Sequence, residues 1–299
     1  MISTRAFRLL WVSLCISPIQ SWAAPITFNT ALPVAKNAFI NREQLIIKRF
    51  KQDSSSLDRE LKVEGLVSVI GYGVTPKLAA FAALPYLEKL LRLNLNGFPQ
   101  RRSSENFSDL KLFARYTLFQ QDERSKTFRM AAFVGADSSS GKSNQQDEFG
   151  PLPQSLQSGS GSTDPFAGFV ATYQTLDYEI DAQISYQNNA SNNNFEFGDI
   201  LKADTSFQYR IFPNKMADET NSFTYAVIEL NLIKQQQNQF FRTKNINSGG
   251  TTIFLTPGIQ YVTAKYILEA AVQLPVVQNL NGNALEIDYI FTTGFRVNF

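Results

Sequence analysis

Residues Thr292–Phe299 read TTGFRVNF, and their alternation points to the fold. With Phe291 included, Phe291, Phe295, Val297 and Phe299 share one face of an extended strand, and Asp288, Thr292, Arg296 and Asn298 share the other. A polar residue, a glycine two positions on, then Val297 and a final aromatic form the address by which β-barrels are folded into the bacterial outer membrane. We therefore expect Thr292, Gly294, Val297 and Phe299 to act as a barrel-assembly signal. A strand of this kind closes a barrel by pairing with the first strand, so no edge is left free.

The other end of the chain agrees. Arg5 and Arg8 precede an apolar run from Leu9 to Ile19, and Ser21-Trp22-Ala23 forms a small-x-small cleavage site. A membrane anchor needs roughly 20 apolar residues, and Pro18 and Gln20 interrupt this run. The bulky Leu14 before Cys15 argues against a lipid-modified cysteine. Residues 1–23 read as a signal peptide cut after Ala23, with Ala24 as the alternative. Residues 24–37 read as an N-terminal segment in the periplasm or the lumen, where their apolar, proline-bearing character suits a plug. Residues 38–299 read as the barrel.

Cleavage removes Cys15, Trp11 and Trp22, so the mature chain holds no Cys, Trp or His. Disulfides are excluded, and backbone pairing and burial must hold the fold. Without Arg5 and Arg8 the 28 basic residues become 26, equal to the 26 acidic ones. That balance offers no electrostatic case for nucleic acid. The 25 Phe and 11 Tyr sit in a chain of slightly negative mean hydropathy, as a membrane barrel requires, since half of each strand meets lipid and half meets water.

Period-two alternation supports this reading internally. Tyr178–Gln187 places Tyr178, Ile180, Ala182, Ile184 and Tyr186 opposite Glu179, Asp181, Gln183, Ser185 and Gln187. Leu201–Ile211 repeats the pattern. Less regular strands are expected at 61–69, 110–118, 128–136, 166–175, 253–261, 266–274 and 287–299. Spacing more than pattern places others at 39–50, 77–86 and 223–233, making about twelve antiparallel strands in all. Pro257 is awkward within a strand, and residues 84–93 suit a strand end with a short amphipathic helical turn. Short links (73–76, 121–126, 176–177, 213–221, 264–265) alternate with longer loops (52–58, 87–107, 137–164, 188–197, 235–250, 275–286). From a periplasmic start, the longer set falls outside the cell. Tyrosines at strand ends (178, 186, 209, 261, 266, 289) suit the headgroup level.

The lumen face then carries Lys62, Lys111, Arg115, Arg129, Lys202, Arg210 and Arg296 against Glu64, Asp109, Glu179, Asp181, Asp204, Glu229, Glu269 and Asp288. No sign dominates, so a strongly ion-selective filter is not implied. These groups either pair and fill a narrow interior or frame a polar path for a small solute. Without His, the triads of outer-membrane hydrolases and His-based metal sites are closed. Glu179 with Asp181, or Glu269 with Asp288, could in principle form a glycosidase-like pair. The first simply follows the polar alternation of its strand. The glycine-rich SGSGS (158–162) lacks the Lys-Ser/Thr that a phosphate loop needs. We expect no enzyme, no metal and no cofactor.

Six stretches, in order, resemble one family. They are ALPVAKNAFINREQ (31–44), YGVTPKLAAFAALPY (72–86), DLKLFARYTLFQQD (109–122), the run from Gly159 to Gln187, FEFGDILKADTSFQYRIFP (195–213) and FLTPGIQY (254–261). Together they resemble the outer-membrane transporters associated with meta-pathway phenol degradation. ADSSSGKSN (136–144) departs from the Pro-Thr-Gly type turn expected there. The resemblance implies a porin-like barrel in the outer membrane of a Gram-negative cell, passing aromatic or other hydrophobic compounds by passive diffusion. Its partners would be outer-membrane lipid, the barrel-assembly machinery and a small-molecule solute, with no nucleic acid and the oligomeric state left open. The alternative is a closed structural or interaction barrel acting through its outer loops.

Overall fold

A computed structural model describes residues 23–213 and 221–299. Residues 1–22 of the expected signal peptide 1–23, and most of the 213–221 link, lie outside the described residues. The wall is built from β1 (Phe39–Gln52), β2 (Glu60–Gly73), β3 (Leu78–Leu95), β4 (Phe98–Phe107), β5 (Lys111–Glu123), β6 (Lys126–Asp137) and β7 (Asp164–Thr175). It continues with β8 (Tyr178–Gln187), β9 (Ile200–Phe212), β10 (Ser222–Gln235), β11 (Gly250–Thr263), β12 (Tyr266–Leu280) and β13 (Glu286–Asn298). Every neighbouring pair is antiparallel, and β1 pairs with both β2 and β13, closing the ring. At the seam, Phe39 and Phe299 exchange backbone hydrogen bonds of 2.6 and 2.9 Å.

Thirteen segments occupy twelve positions around the barrel. The near half of β3 pairs with β5 (Leu78 opposite Tyr116) and its far half with β4 (Tyr86 opposite Phe107). β4 and β5 are thus one wall strand interrupted at Ser108–Leu110. This corrects the expectation of a long loop at 87–107 and of a helical turn at 84–93. β3 runs on to Leu95 and turns at Asn96-Gly97, whose φ values of 53° and 87° are those of a primed hairpin turn. The wall is therefore taller on this side. Pro257 sits in β11 with an outward, exposed ring and an unshifted register on either side (Leu255 opposite Leu274, Gly258 opposite Ala271).

The outer surface is an apolar belt. Ile184, Phe207, Ile228 and Phe169 are 51, 45, 52 and 57% exposed, with Tyr186, Tyr209, Tyr261 and Tyr266 exposed among them. Such a surface is unfavourable in water and favourable in hydrocarbon. One end of the barrel carries the short turns 124–125, 176–177 and 264–265, together with Phe39 and Phe299. The other end carries the larger connections.

Two of these larger connections meet outside the wall. Ser191–Asn192 and Phe195–Glu196 pair with Gln239–Phe240 and Thr243–Lys244 in a small sheet. The connection 138–163 folds inward as a lid. Its Leu152 and Leu156 bury against Leu61 and Leu91 on the inner faces of β2 and β3.

Candidate functional site in the barrel lumen

Strand register decides which side chains enter the lumen. In β1 the inner residues are Ile40, Arg42, Gln44, Ile46 and Lys48. Opposite them in β2 stand Gly71, Val69, Val67, Gly65 and Val63. Lys62 and Glu64 therefore face outward, where they pair at 2.5 Å, correcting the lumen expectation for both. At this height the inner face is filled by the lid leucines and the outer face lies beyond the apolar belt, so the usual alternation is inverted. Asp288 is also misplaced by simple counting. It falls in a register break between Tyr289 and Ile287, and it is exposed.

Asp109 lies in the interruption between β4 and β5, where it accepts the backbone N–H groups of Gly141 (2.8 Å) and Ser160 (2.6 Å). It anchors the lid at the mouth. Arg102 holds the same lid through Asp147 at 2.7 Å and the carbonyls of Gly150 and Pro151. Lys89 reaches the carbonyls of Ser155 and Gln157.

Residues 23–38 cross the lumen as a strap. Ala24, Ile26 and Ala31 are 1% exposed or less. Ala23 packs on Tyr225, Val262 and Ile267, and Ile26 on Val227 and Ala271. Ala31 packs on Ala131, Phe133 and Val170, and Val34 on Ala79 and Phe81. The segment thus passes from β10–β12 across to β5–β7 and back to β3 before entering β1.

Polar lumen residues satisfy its backbone, as buried peptide groups require. Glu229 accepts the N–H of Ile26 at 2.6 Å, Thr172 that of Ala31 at 2.8 Å, and Gln183 that of Asn29 at 3.3 Å. Arg115 donates to the carbonyls of Thr30 and Leu32, both at 2.6 Å, and Arg42 to that of Ile26 at 2.6 Å. Gln260 holds Ala24 from both sides, donating to its carbonyl at 2.6 Å and accepting its N–H at 3.3 Å. Bonds that involve a charged partner are about twice as strong as neutral ones.

The remaining candidates sort by depth. Glu179, Asp181 and Glu269 lie towards the short-turn end, as do Arg210, Arg296 and Arg129. Glu269 pairs with Arg42 at 2.6 Å, and Asp181 accepts from Gln208 at 3.1 Å and from Thr172. Glu179 accepts from Gln174, Arg210 pairs with Asp177, and Arg129 with Asp122 at 3.1 Å. Arg296 faces the lumen cavity. Lys111, Lys202 and Asp204 lie further along their strands; Lys111 pairs with Asp137 at 2.6 Å. Glu179 and Asp181 are tied into the amide and hydroxyl network behind the strap. Thr292 is buried and Gly294 packs over Gln44, whereas Val297 stands opposite Asn41 and Phe299 stacks near Phe39 with centroids 6.2 Å apart.

Counting alone did not single out Arg42, Gln44, Gln183, Thr172 and Gln260 as holders of the strap. The first two share an inner face with Lys48, but polar Asn41, Glu43 and Arg49 on the outer face of β1 mask the period. Alongside the strap runs a cavity of about 550 Å³, lined towards the short-turn end by Phe39, Arg296 and Asn298 and towards the long-loop end by Phe113, Phe166, Lys48, Lys111 and Lys202.

This architecture defines a class: a closed β-barrel with an apolar exterior and its own N-terminal chain drawn through the bore. A family model described as "Putative MetA-pathway of phenol degradation" matches residues 47–276, and the chain belongs to that family. Among solved structures, the chain is similar to an outer membrane channel from Pseudomonas putida F1, with a TM-score of 0.69 and 15% identity over 93% of this chain and 100% of that one. The β domain of the Bordetella autotransporter BrkA follows at a TM-score of 0.48 and 11% identity, covering 88% of this chain and 100% of that one. No curated protein matches the chain.

Proposed function

We propose that this protein is an outer-membrane channel through which small aromatic or other hydrophobic solutes diffuse passively, with no chemistry done on them. The observation that carries this reading is the cavity of about 550 Å³ inside a closed wall. Its size is that of pockets that enclose small molecules. Membrane insertion is supported by the apolar belt, the exposed tyrosines and the strand ending at Phe299. Short turns on the periplasmic side and larger loops outside follow the usual orientation of such barrels. The solute class is supported by the family and by the phenyl groups of Phe81, Phe113, Phe133 and Phe166 on one side of the lumen. The strap narrows the bore, and in this reading it is the gate.

A second reading is favoured by the same strap: a closed barrel that acts through its lid and outer loops. Planar-bilayer recordings separate the two. Discrete openings from the full mature protein, more frequent once residues 24–37 are deleted, are expected for a channel. Silence from both proteins, each shown to be folded, would leave the closed barrel.

A further inference from the structure

The charges of the lumen balance in number but separate by depth. Most carboxylates and arginines at the strap level bind one another, neutral lumen side chains or the strap backbone; Arg296, towards the short-turn end, has its Nε unpartnered. Three lysines, Lys48 on β1, Lys111 on β5 and Lys202 on β9, face the cavity beyond it. Lys202 lies within repulsion range of both Lys48 and Lys111. Two carboxylates face the same group, and both are engaged. Asp137 pairs with Lys111 at 2.6 Å and accepts from Gln187 at 3.2 Å. Asp204 accepts from Asn231 at 3.1 Å and Gln183 at 3.2 Å. Among the described residues, Lys48 and Lys202 have no hydrogen bond or ion pair.

Two half-buried ammonium groups of like charge on one cavity are stabilised when an anion joins them. The wall beside them is aromatic. Phe113 stacks on Phe81 with centroids 4.7 Å apart, and Phe166 meets Phe113 at 6.1 Å. The Lys111 ammonium lies 4.1 Å from the centre of the Phe166 ring. Of the guanidinium forks that suit phosphate best, Arg115 and Arg42 hold the strap, and Arg296 stands towards the short-turn end of the cavity, away from the lysines. Point charges beside phenyl rings suit a single carboxylate on an apolar body.

We propose that Lys48, Lys202, Phe113 and Phe166 form a binding site for a small aromatic carboxylate, its charge between the two ammonium groups and its ring against the phenyl wall. This rests on the reading of the lumen as a solute path and narrows the solute to an amphipathic anion. The site would hold a solute in transit at the step before the strap.

Calorimetry on the folded mature protein in detergent tests it, with benzoate, the neutral benzyl alcohol and the ring-less acetate as probes. Benzoate should bind at least about tenfold more tightly than either of the others, a difference of about 1.4 kcal/mol. In the Lys48→Met/Lys202→Met double variant the preference for benzoate over benzyl alcohol should vanish. Equal binding of benzoate and benzyl alcohol to the wild-type protein overturns the inference, and so does a preference that survives the double substitution. If the double variant does not fold, the wild-type comparison decides alone. Bilayer conductance is read separately: openings without a benzoate preference would sink this site and leave the channel standing, while selective binding without openings would do the reverse.

Discussion

Ile184 and Ser185 are neighbours in β8 that meet different surroundings: Ile184 is half-exposed on the outer belt, and Ser185 lines the cavity. Arginine in place of Ile184 should destabilise the folded barrel by about 2–4 kcal/mol if that residue sits at the bilayer midplane. Arginine in place of Ser185 should be far better tolerated. Urea titrations in lipid vesicles measure both, and equal losses would contradict the assigned faces. This face assignment was legible in the sequence wherever one side of a strand is wet and the other greasy, as in Tyr178–Gln187. It failed at Lys62 and Glu64 because the lid leucines reverse the usual order there. It also failed at Asp288, since a register break cannot be seen by counting in twos.

Elements show the same division. The strands hardest to read, β1, β3 and β10, are among those whose inner faces pack the strap. Phe81 and Ala79 of β3, and Tyr225 and Val227 of β10, are apolar inside as well as out, so the alternation disappears. The β3–β4 hairpin carried the strongest turn signal, Asn96-Gly97, but its strands extend past the apolar belt into segments that resemble loop. Strap docking can be tested at Gly73, where a Cβ would stand 1.9 Å from the carbonyl oxygen of Ala35 and 2.8 Å from that of Val34. Gly73→Val should push the strap from its seat, which bilayer recordings would show as more frequent openings. The lid depends on ionic bonds as well as on its buried leucines. Hydrogen bonds from Arg102 hold the Asp147 carboxyl below its usual range. A depressed carboxyl stabilises the lid above its unfolded value and loses that effect as pH falls through the folded one, so the contribution fades only in acid, below about pH 4. Asp147→Asn should reproduce the acid state at neutral pH, seen as faster hydrogen exchange across 138–163.

Across the whole molecule, twelve wall positions and their closure followed from the spacing of apolar runs, because pairing distance and bilayer thickness constrain every strand alike. The route of residues 23–38 did not. Composition allowed a plug, but only the register of most of the wall strands determines which side chains it meets. With the strap seated, peptide groups occupy positions around Glu229, Gln260, Arg115 and Thr172 that water would otherwise take. Opening therefore hydrates the bore. Sucrose or other solutes excluded from protein surfaces favour the state that holds less water. Raising osmotic pressure symmetrically across a bilayer should lengthen the closed intervals without changing the current of each opening, so that the cell's own osmolarity would set how often this barrel leaks.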